Sequence, residues 1–195
     1  MRTGPAGLEI IRRNEGCRLT AYRDVVGVWT VGFGDTGPDV VLGLTITREE
    51  SERRLADRLA REFEPGVLAA IGNAPTTQPQ FDAMVSLAYN IGVGAFQKST
   101  VARTHKAGDH RTAAEAFLLW NKASGREYAG LTRRRQEEAA LYLSEIAPPA
   151  GSSTPPFDKI KTIQAVLGVA QDGAFGRRSR AALNELLRAA GQPGI

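Results

Sequence analysis

The sequence predicts an α+β fold: a small antiparallel sheet lobe, then a helical lobe, then a separate small all-α unit. Three observations carry this. A stretch rich in Gly, Tyr, Trp and Val alternates in the manner of strands between Leu19 and Gly34. Apolar residues recur at helical spacing from Thr47 to Leu143. The segment Ala147 to Pro156, APPAGSSTPP, carries four prolines with Gly and Ser, which sustains neither a helix nor a central strand. It reads as a semi-rigid linker and divides the chain into domains at 1–146 and 157–195, with the linker at 147–156.

The elements follow in order. Pro5 suits a first helical turn, Leu8 and Ile11 share a face, and Gly16 stands where that helix stops. Val25-Val26-Gly27 is the expected turn of a hairpin whose return strand holds Trp29-Thr30-Val31. Thr47-Arg48-Glu49-Glu50 has the spacing of a capping box, and Leu55, Leu59 and Phe63 follow on one face until Pro65 interrupts. Further helices are expected over 80–90, 99–106, 112–120 and 131–143, punctuated by Gly92, Gly94, Gly108 and Gly125. Phe81, Met84 and Leu87 read as core. A sheet lobe beside a helical lobe leaves a natural cleft. The tail reads helix, loop, helix, with an Ile160, Ile163, Leu167 stripe and an Asp172-Gly173 turn.

Composition narrows the function. At 42% hydrophobic and 24% charged the chain is ordinary globular material, so wholesale disorder is excluded. Its longest apolar stretches fall well short of the ~18 residues of a membrane helix, and the N-terminal residues have no signal-peptide core. One cysteine, Cys17, allows no internal disulfide and reads as a small buried thiol. Two histidines without a Cys/His cluster argue against zinc. Residues 1–147 carry 19 basic against 18 acidic side chains and residues 148–195 carry 6 against 3, so the excess charge sits in the tail. A weakly basic tail suits an anionic partner such as cell-wall polymer or nucleic acid.

Glu15, Asp24 and Thr30 are the candidate chemistry. A helix end and a hairpin can meet at one cleft and set two carboxylates face to face, as glycoside hydrolysis requires. One carboxyl must be protonated to donate to the leaving oxygen and the other ionised to activate water. The alternative for each is a solvated surface group.

The run Glu15-Gly16-x-x-Leu19-x-Ala21-Tyr22-x-Asp24-x-x-Gly27-x-Trp29-Thr30-x-Gly32-x-Gly34 resembles the signature of the phage-type lysozymes, glycoside hydrolase family 24. Gln80-Phe81-Asp82-Ala83 through Tyr89-Asn90-Ile91-Gly92 is similar to the family's central helix and following turn. Gly130-Leu131-Thr132-Arg133-Arg134-Arg135-Gln136-Glu137-Glu138 is similar to its GL-x-x-RR-x-x-E segment. The resemblance spans about residues 5–145. It implies a lysozyme-like fold and a muramidase that cuts the β-1,4 bond between N-acetylmuramic acid and N-acetylglucosamine. Glu15 would be the general acid, Asp24 the base, and Thr30 would help hold the water. The family's best-known members invert, for which the carboxyls lie roughly 6.5–9.5 Å apart, against near 5 Å for retention.

Around that set, Gln80, Asn90, Gly92, Phe96 and Arg134 are candidates for substrate binding, with a helix C-cap as the alternative for Asn90. Arg134 and Arg135 are either a solvated helix face beside Glu137 and Glu138, or one of them pairs with Glu15 and favours its ionised form. Tyr22 and Trp29 either support a sugar face or pack under the hairpin. Where some relatives carry His after Gly34, this chain has Asp35, a candidate loop cap.

Ile163-Gln164-x-x-Leu167-Gly168 followed by Asp172-Gly173-x-Phe175-Gly176-x-x-Ser179-x-x-Ala182-Leu183 resembles the small three-helix-type peptidoglycan-binding domain of wall hydrolases. Arg177, Arg178 and Arg180 are candidates for anionic wall groups. The combined expectation is a monomeric endolysin with no cofactor, made in the host cytoplasm without a signal peptide. It would reach the wall with the help of a holin and bind peptidoglycan, not membrane or nucleic acid. A lytic transglycosylase, a non-catalytic wall-binding protein and a nucleic-acid module are the competing readings. Retained Asp24 and Thr30 weigh against the first two, and the lack of a DNA-reading motif against the third.

Overall fold

A computed structural model describes residues 1–24 and 26–145. The linker, the expected wall-binding unit and Val25 of the hairpin turn lie outside the described residues.

Helix α1 (Pro5–Glu15) opens the chain. Its N-cap, Gly4, has no side chain to satisfy the free amides of the first turn. Asp82 does so from another helix: its carboxylate accepts from Gly4 N at 2.8 Å and Gly7 N at 3.1 Å. Glu64 binds Thr3 N and its hydroxyl at 2.8 and 2.9 Å. Gly7 lies against the Asp82 backbone so closely that a Cβ there would sit 2.9 Å from Asp82 Cβ. The helix ends at Gly16, φ +68°, whose N–H donates to Arg12 O.

Strands β1 (Arg18–Arg23) and β2 (Trp29–Gly32) pair antiparallel, with Tyr22 opposite Thr30, Arg23 opposite Trp29, and a bulge between Arg18 and Tyr22. On the other edge of β1, Ala21 N donates to Leu44 O and Ile46 N to Leu19 O. Val31, Val40 and Ile46 form a small core of this lobe, with Trp29 packed on it.

Helix α2 (Arg48–Arg58) starts at Thr47, whose hydroxyl accepts from Glu50 N. Only this half of the expected capping box forms, because the Glu50 carboxylate turns to Arg53 and Arg54. Pro65 does not end the helical path. Leu59–Phe63 widens into a π-helical turn and α3 (Glu64–Ile71) carries on with Pro65 in its first turn. A proline lacks the N–H and crowds the carbonyl four residues back; a widened turn ahead of it absorbs both. Leu55, Leu59 and Phe63 are buried as expected.

Helix α4 (Gln78–Ile91) is the centre of the helical lobe, packed on α1 and α3. Every residue from Gln80 to Ala88 is buried, including Phe81, Met84 and Leu87. Around it lie α5 (Val93–Gln97), α6 (Thr100–Lys106), α7 (His110–Phe117) with a 3-10 turn over Leu118–Trp120, and α8 (Ala129–Leu143). A two-residue hairpin, β3 (Lys122–Ala123) with β4 (Arg126–Glu127), precedes α8. It turns on Ser124 and Gly125, both at positive φ; Gly125 was the signal for a break, and the pairing across it was not expected. Among the described residues no helix is long and apolar enough to cross a membrane.

Candidate active site

Glu15 is the last residue of α1. Its side chain is 26% exposed, and Oε1 accepts from Arg134 Nη1 at 2.7 Å. Arg134 comes from the second turn of α8 and is itself only 3% exposed. Its remaining donors are engaged: Nε with Glu138 Oε1 at 3.1 Å and Nη2 with the Ser86 carbonyl at 3.2 Å. Arg135 beside it is fully buried, donating from Nη2 to Glu138 Oε1 at 3.1 Å with Nε 2.9 Å from Oε2. Burial pushes the Arg135 guanidinium down to about 10, against the pull of Glu138. Burial pushes the Glu138 carboxyl up, opposed by Arg135, Arg134 and the Ser86 hydroxyl.

These placements decide between the two readings of Arg134 and Arg135: neither lies on a solvated face, and Arg134 is the one that pairs with Glu15. Both guanidiniums are buried, and Arg134 donates to Glu15. The i,i+4 and i,i+3 spacings from Arg134 and Arg135 to Glu138 were visible in the sequence. Spacing by itself does not say whether such a cluster is solvated or buried.

Asp24 stands at the mouth of the β1–β2 hairpin. Its Oδ1 accepts from Val26 N at 2.9 Å and Val28 N at 2.8 Å, and its backbone N–H donates to Val28 O. The turn thus holds the carboxylate by one oxygen. Thr30, 4% exposed, donates its hydroxyl to Val28 O at 3.1 Å.

The turn after Thr30 is gripped from the helical side. Phe33 O accepts from the Tyr89 hydroxyl at 2.6 Å, Gly34 O from Arg58 Nη1 at 2.6 Å, and the Asp35 carboxylate pairs with Arg54 at 2.9 Å. Asp35 also exchanges two backbone bonds with Val31, so it closes a loop as expected and adds an ion pair. Burial pushes the Tyr89 phenol up to about 12; Arg58 opposes this, and the charges of Glu15 and Asp35 add to it. Nothing in the local sequence marks Tyr89 or Arg58 for these contacts, since a tyrosine that binds a distant carbonyl looks the same as one that packs.

Three other candidates are relocated. Gln80 is 2% exposed; its Oε1 accepts from Thr77 N while Thr77 Oγ1 accepts from Gln80 N, a full capping box for α4. Thr-x-x-Gln ahead of an apolar run was the missed signal. Phe96 is fully buried in the helical core. Gly92, φ +86°, is the C-cap of α4 and donates to Ala88 O, so the cap falls to it and not to Asn90. Asn90 remains exposed on the last turn. Cys17 is half-buried, its Sγ 3.4 Å from Ser51 Oγ, more open than expected. Tyr22 and Trp29 carry Arg18 and Arg23 over their rings at 3.9 and 5.0 Å. A depression of about 450 Å³ between the 35–39 loop and α2 is lined by opposing charges and contains none of Glu15, Asp24 or Thr30.

The phage lysozyme family profile matches residues 12–138. The endolysin of Salmonella phage P22 is 40% identical over 148 residues, 74% of this chain and 99% of its own length. The crystal structure of a P22 lysozyme point mutant superimposes with a TM-score of 0.67, covering 73% of this chain and 99% of that one. The endolysin of Bacillus phage B103 is 40% identical over 146 residues; the chain matches 74% of its own length to 55% of that protein, little more than half. The muramidase domain of SpmX from Asticaccaulis excentricus is 34% identical with a TM-score of 0.64, over 75% of this chain and 99% of that domain.

Proposed function

The chain belongs to the phage lysozyme family of glycoside hydrolases, and on that premise we propose that it is an endolysin that hydrolyses the β-1,4 bond between N-acetylmuramic acid and N-acetylglucosamine in bacterial peptidoglycan. Glu15 is the general acid: it gives its proton to the glycosidic oxygen as the bond to the anomeric carbon breaks. Asp24 is the base that takes a proton from the attacking water, and the Thr30 hydroxyl helps hold that water. With water arriving opposite the leaving group, the anomeric configuration inverts. The proton balance closes on the two carboxylates, so the chemistry requires no cofactor. The observation that carries this reading is Glu15 itself, a solvent-reachable carboxylate fixed at a helix end by a buried arginine at 2.7 Å. Two further supports are the Asp24 carboxylate held by backbone amides and the buried Thr30 hydroxyl on the same hairpin.

We propose further that residues 157–195, tethered by the 147–156 linker, bind the wall. A tethered binder raises the effective concentration of the enzyme at an insoluble substrate. Access to the wall through a holin belongs to the same proposal.

Mass spectrometry of products from purified peptidoglycan tests the chemistry, with Glu15→Gln as control. Hydrated reducing-end N-acetylmuramic acid, lost in the variant, is the expected result. Anhydro-muramic ends would make the protein a lytic transglycosylase. Full activity in Glu15→Gln would remove the acid assignment.

A further inference from the structure

An arginine 2.7 Å from the acid poses a problem. Protonating Glu15 would take a counter-charge away from a guanidinium that is only 3% exposed. An unpaired charge in the interior is strongly disfavoured. The structure contains the remedy one helical turn further along α8. Glu138, fully buried, accepts at Oε1 from Arg134 Nε, Arg135 Nη2 and the Ser86 hydroxyl, the last at 2.6 Å. Three donors converge on that one oxygen, and an ionised carboxylate is the acceptor they call for; Oε2 lies 2.9 Å from Arg135 Nε as an ion pair without a hydrogen bond.

We infer that Glu138 is a positioning residue for the acid step: it keeps Arg134 paired whether or not Glu15 carries a proton, and so lets Glu15 load the proton it must deliver. Arg135 and Ser86 serve this by favouring the ionised form of Glu138 against the burial that pushes its carboxyl up. With both glutamates charged, the two arginines and two glutamates sum to zero; when Glu15 is protonated, the buried excess is one charge shared over two guanidiniums. This rests on the reading of Glu15 as the acid.

The other charges around Glu15 have partners of their own. On α1, Arg12 is bound by Glu52 of α2 and Arg13 by Glu137 of α8. Tyr89 of α4 is a neutral phenol committed to Phe33 O, and Arg58 of α2 is committed to Gly34 O. Asp35 is held by Arg54, and Asp24 by its own hairpin turn. Among the described residues, Arg134 is the cation hydrogen-bonded to Glu15.

The test is carboxyl carbon NMR on the full chain labelled with 13C-glutamate, the Glu15 resonance being assigned by its loss in Glu15→Gln, together with the pH profile of kcat/KM on peptidoglycan. In Glu138→Gln, Glu15 should titrate about one pH unit lower than in the native chain, and kcat/KM at neutral pH should fall roughly tenfold and recover at lower pH. Glu138→Asp, which keeps the charge and loses a methylene, should stay closer to native than Glu138→Gln. A packing role predicts the reverse order. If Glu138→Gln does not fold, Ser86→Ala, which removes one donor from Oε1, should move the Glu15 titration the same way by less. An unchanged Glu15 titration in a folded Glu138→Gln or Ser86→Ala protein overturns the inference. The titration is independent of turnover, so an active Glu15→Gln would refute the acid assignment without touching the measured coupling.

Discussion

At the scale of single residues, the candidate site is a set of carboxylates with contrasting supports. Glu15 is held by a side chain from a helix 119 residues away, Asp24 by amides two and four residues along its own hairpin. The difference predicts different mutational behaviour. Asp24→Asn keeps the Oδ1 acceptor for Val26 N and Val28 N, so the hairpin should persist with an unchanged melting temperature. Cleavage of soluble wall fragments should fall about a hundredfold or more if Asp24 is the base. Undiminished turnover in a purified Asp24→Asn protein would exclude that role. Arg134→Lys should be no gentle change: a single ammonium cannot serve Glu15, Glu138 and the Ser86 carbonyl together. The cost should be about 2–3 kcal/mol in urea denaturation.

At the scale of elements, what orients α1 matters most, since Glu15 ends it. The helix begins with no cap of its own and is capped by Asp82 from the buried face of α4. Asp82→Ala should therefore cost about 3 kcal/mol, two amide bonds to a carboxylate plus the desolvated amides left behind. Denaturant midpoints on native and variant protein would measure it, and a loss below about 0.5 kcal/mol would refute the capping role. Helices α2 and α3 illustrate the limits of local rules at the same scale. Pro65 should break a helix in isolation, yet a π-helical turn ahead of it carries the path onward because Phe63 and Val67 on either side are both buried.

At the scale of the whole described unit, stability should depend on pH through His105. It is fully buried where α6 meets α8. Thr76 Oγ1 donates to Ala74 O, so His105 Nε2 donates to Thr76 at 2.8 Å and Nδ1 accepts from the Tyr142 hydroxyl at 2.6 Å, a neutral imidazole. Tyr142 in turn meets His110 Nδ1 at 3.0 Å. Burial, with His110 adding to it, pushes His105 down to about 4 from 6.5. Below 6.5 the unfolded chain takes up a proton that the folded one refuses. Stability is thus complete above about 6.5 and falls as pH drops toward 4, by at most about 3 kcal/mol. Urea midpoints at pH 7 and pH 4.5 should show the loss, and His105→Gln should flatten the dependence. Deleting residues 148–195 tests the proposed division of labour: cleavage of soluble wall fragments should be retained while pelleting with whole sacculi weakens.

The order of elements, the hairpin turn, most helix starts and stops, and the spacing of Glu15, Asp24 and Thr30 are legible in the amino-acid sequence, because turns, caps and strand alternation are short-range chemistry read within a few residues. Burial is what spacing leaves open. Gln80 and Phe96, candidates for lining a substrate groove, are buried, and so are Arg134, Arg135 and Glu138, whose pattern fits a solvated face as well as a buried cluster. A pattern gives a residue's neighbours along the chain and does not say which face of the element is covered. Packing between elements turns Arg134, Arg135 and Glu138 of α8 inward beside Glu15, brings Asp82 to cap a helix 75 residues before it, and lets Tyr89 and Arg58 reach the turn after Thr30. These are long-range contacts between buried polar groups, fixed only when packing removes water and obliges each charge to find its partner.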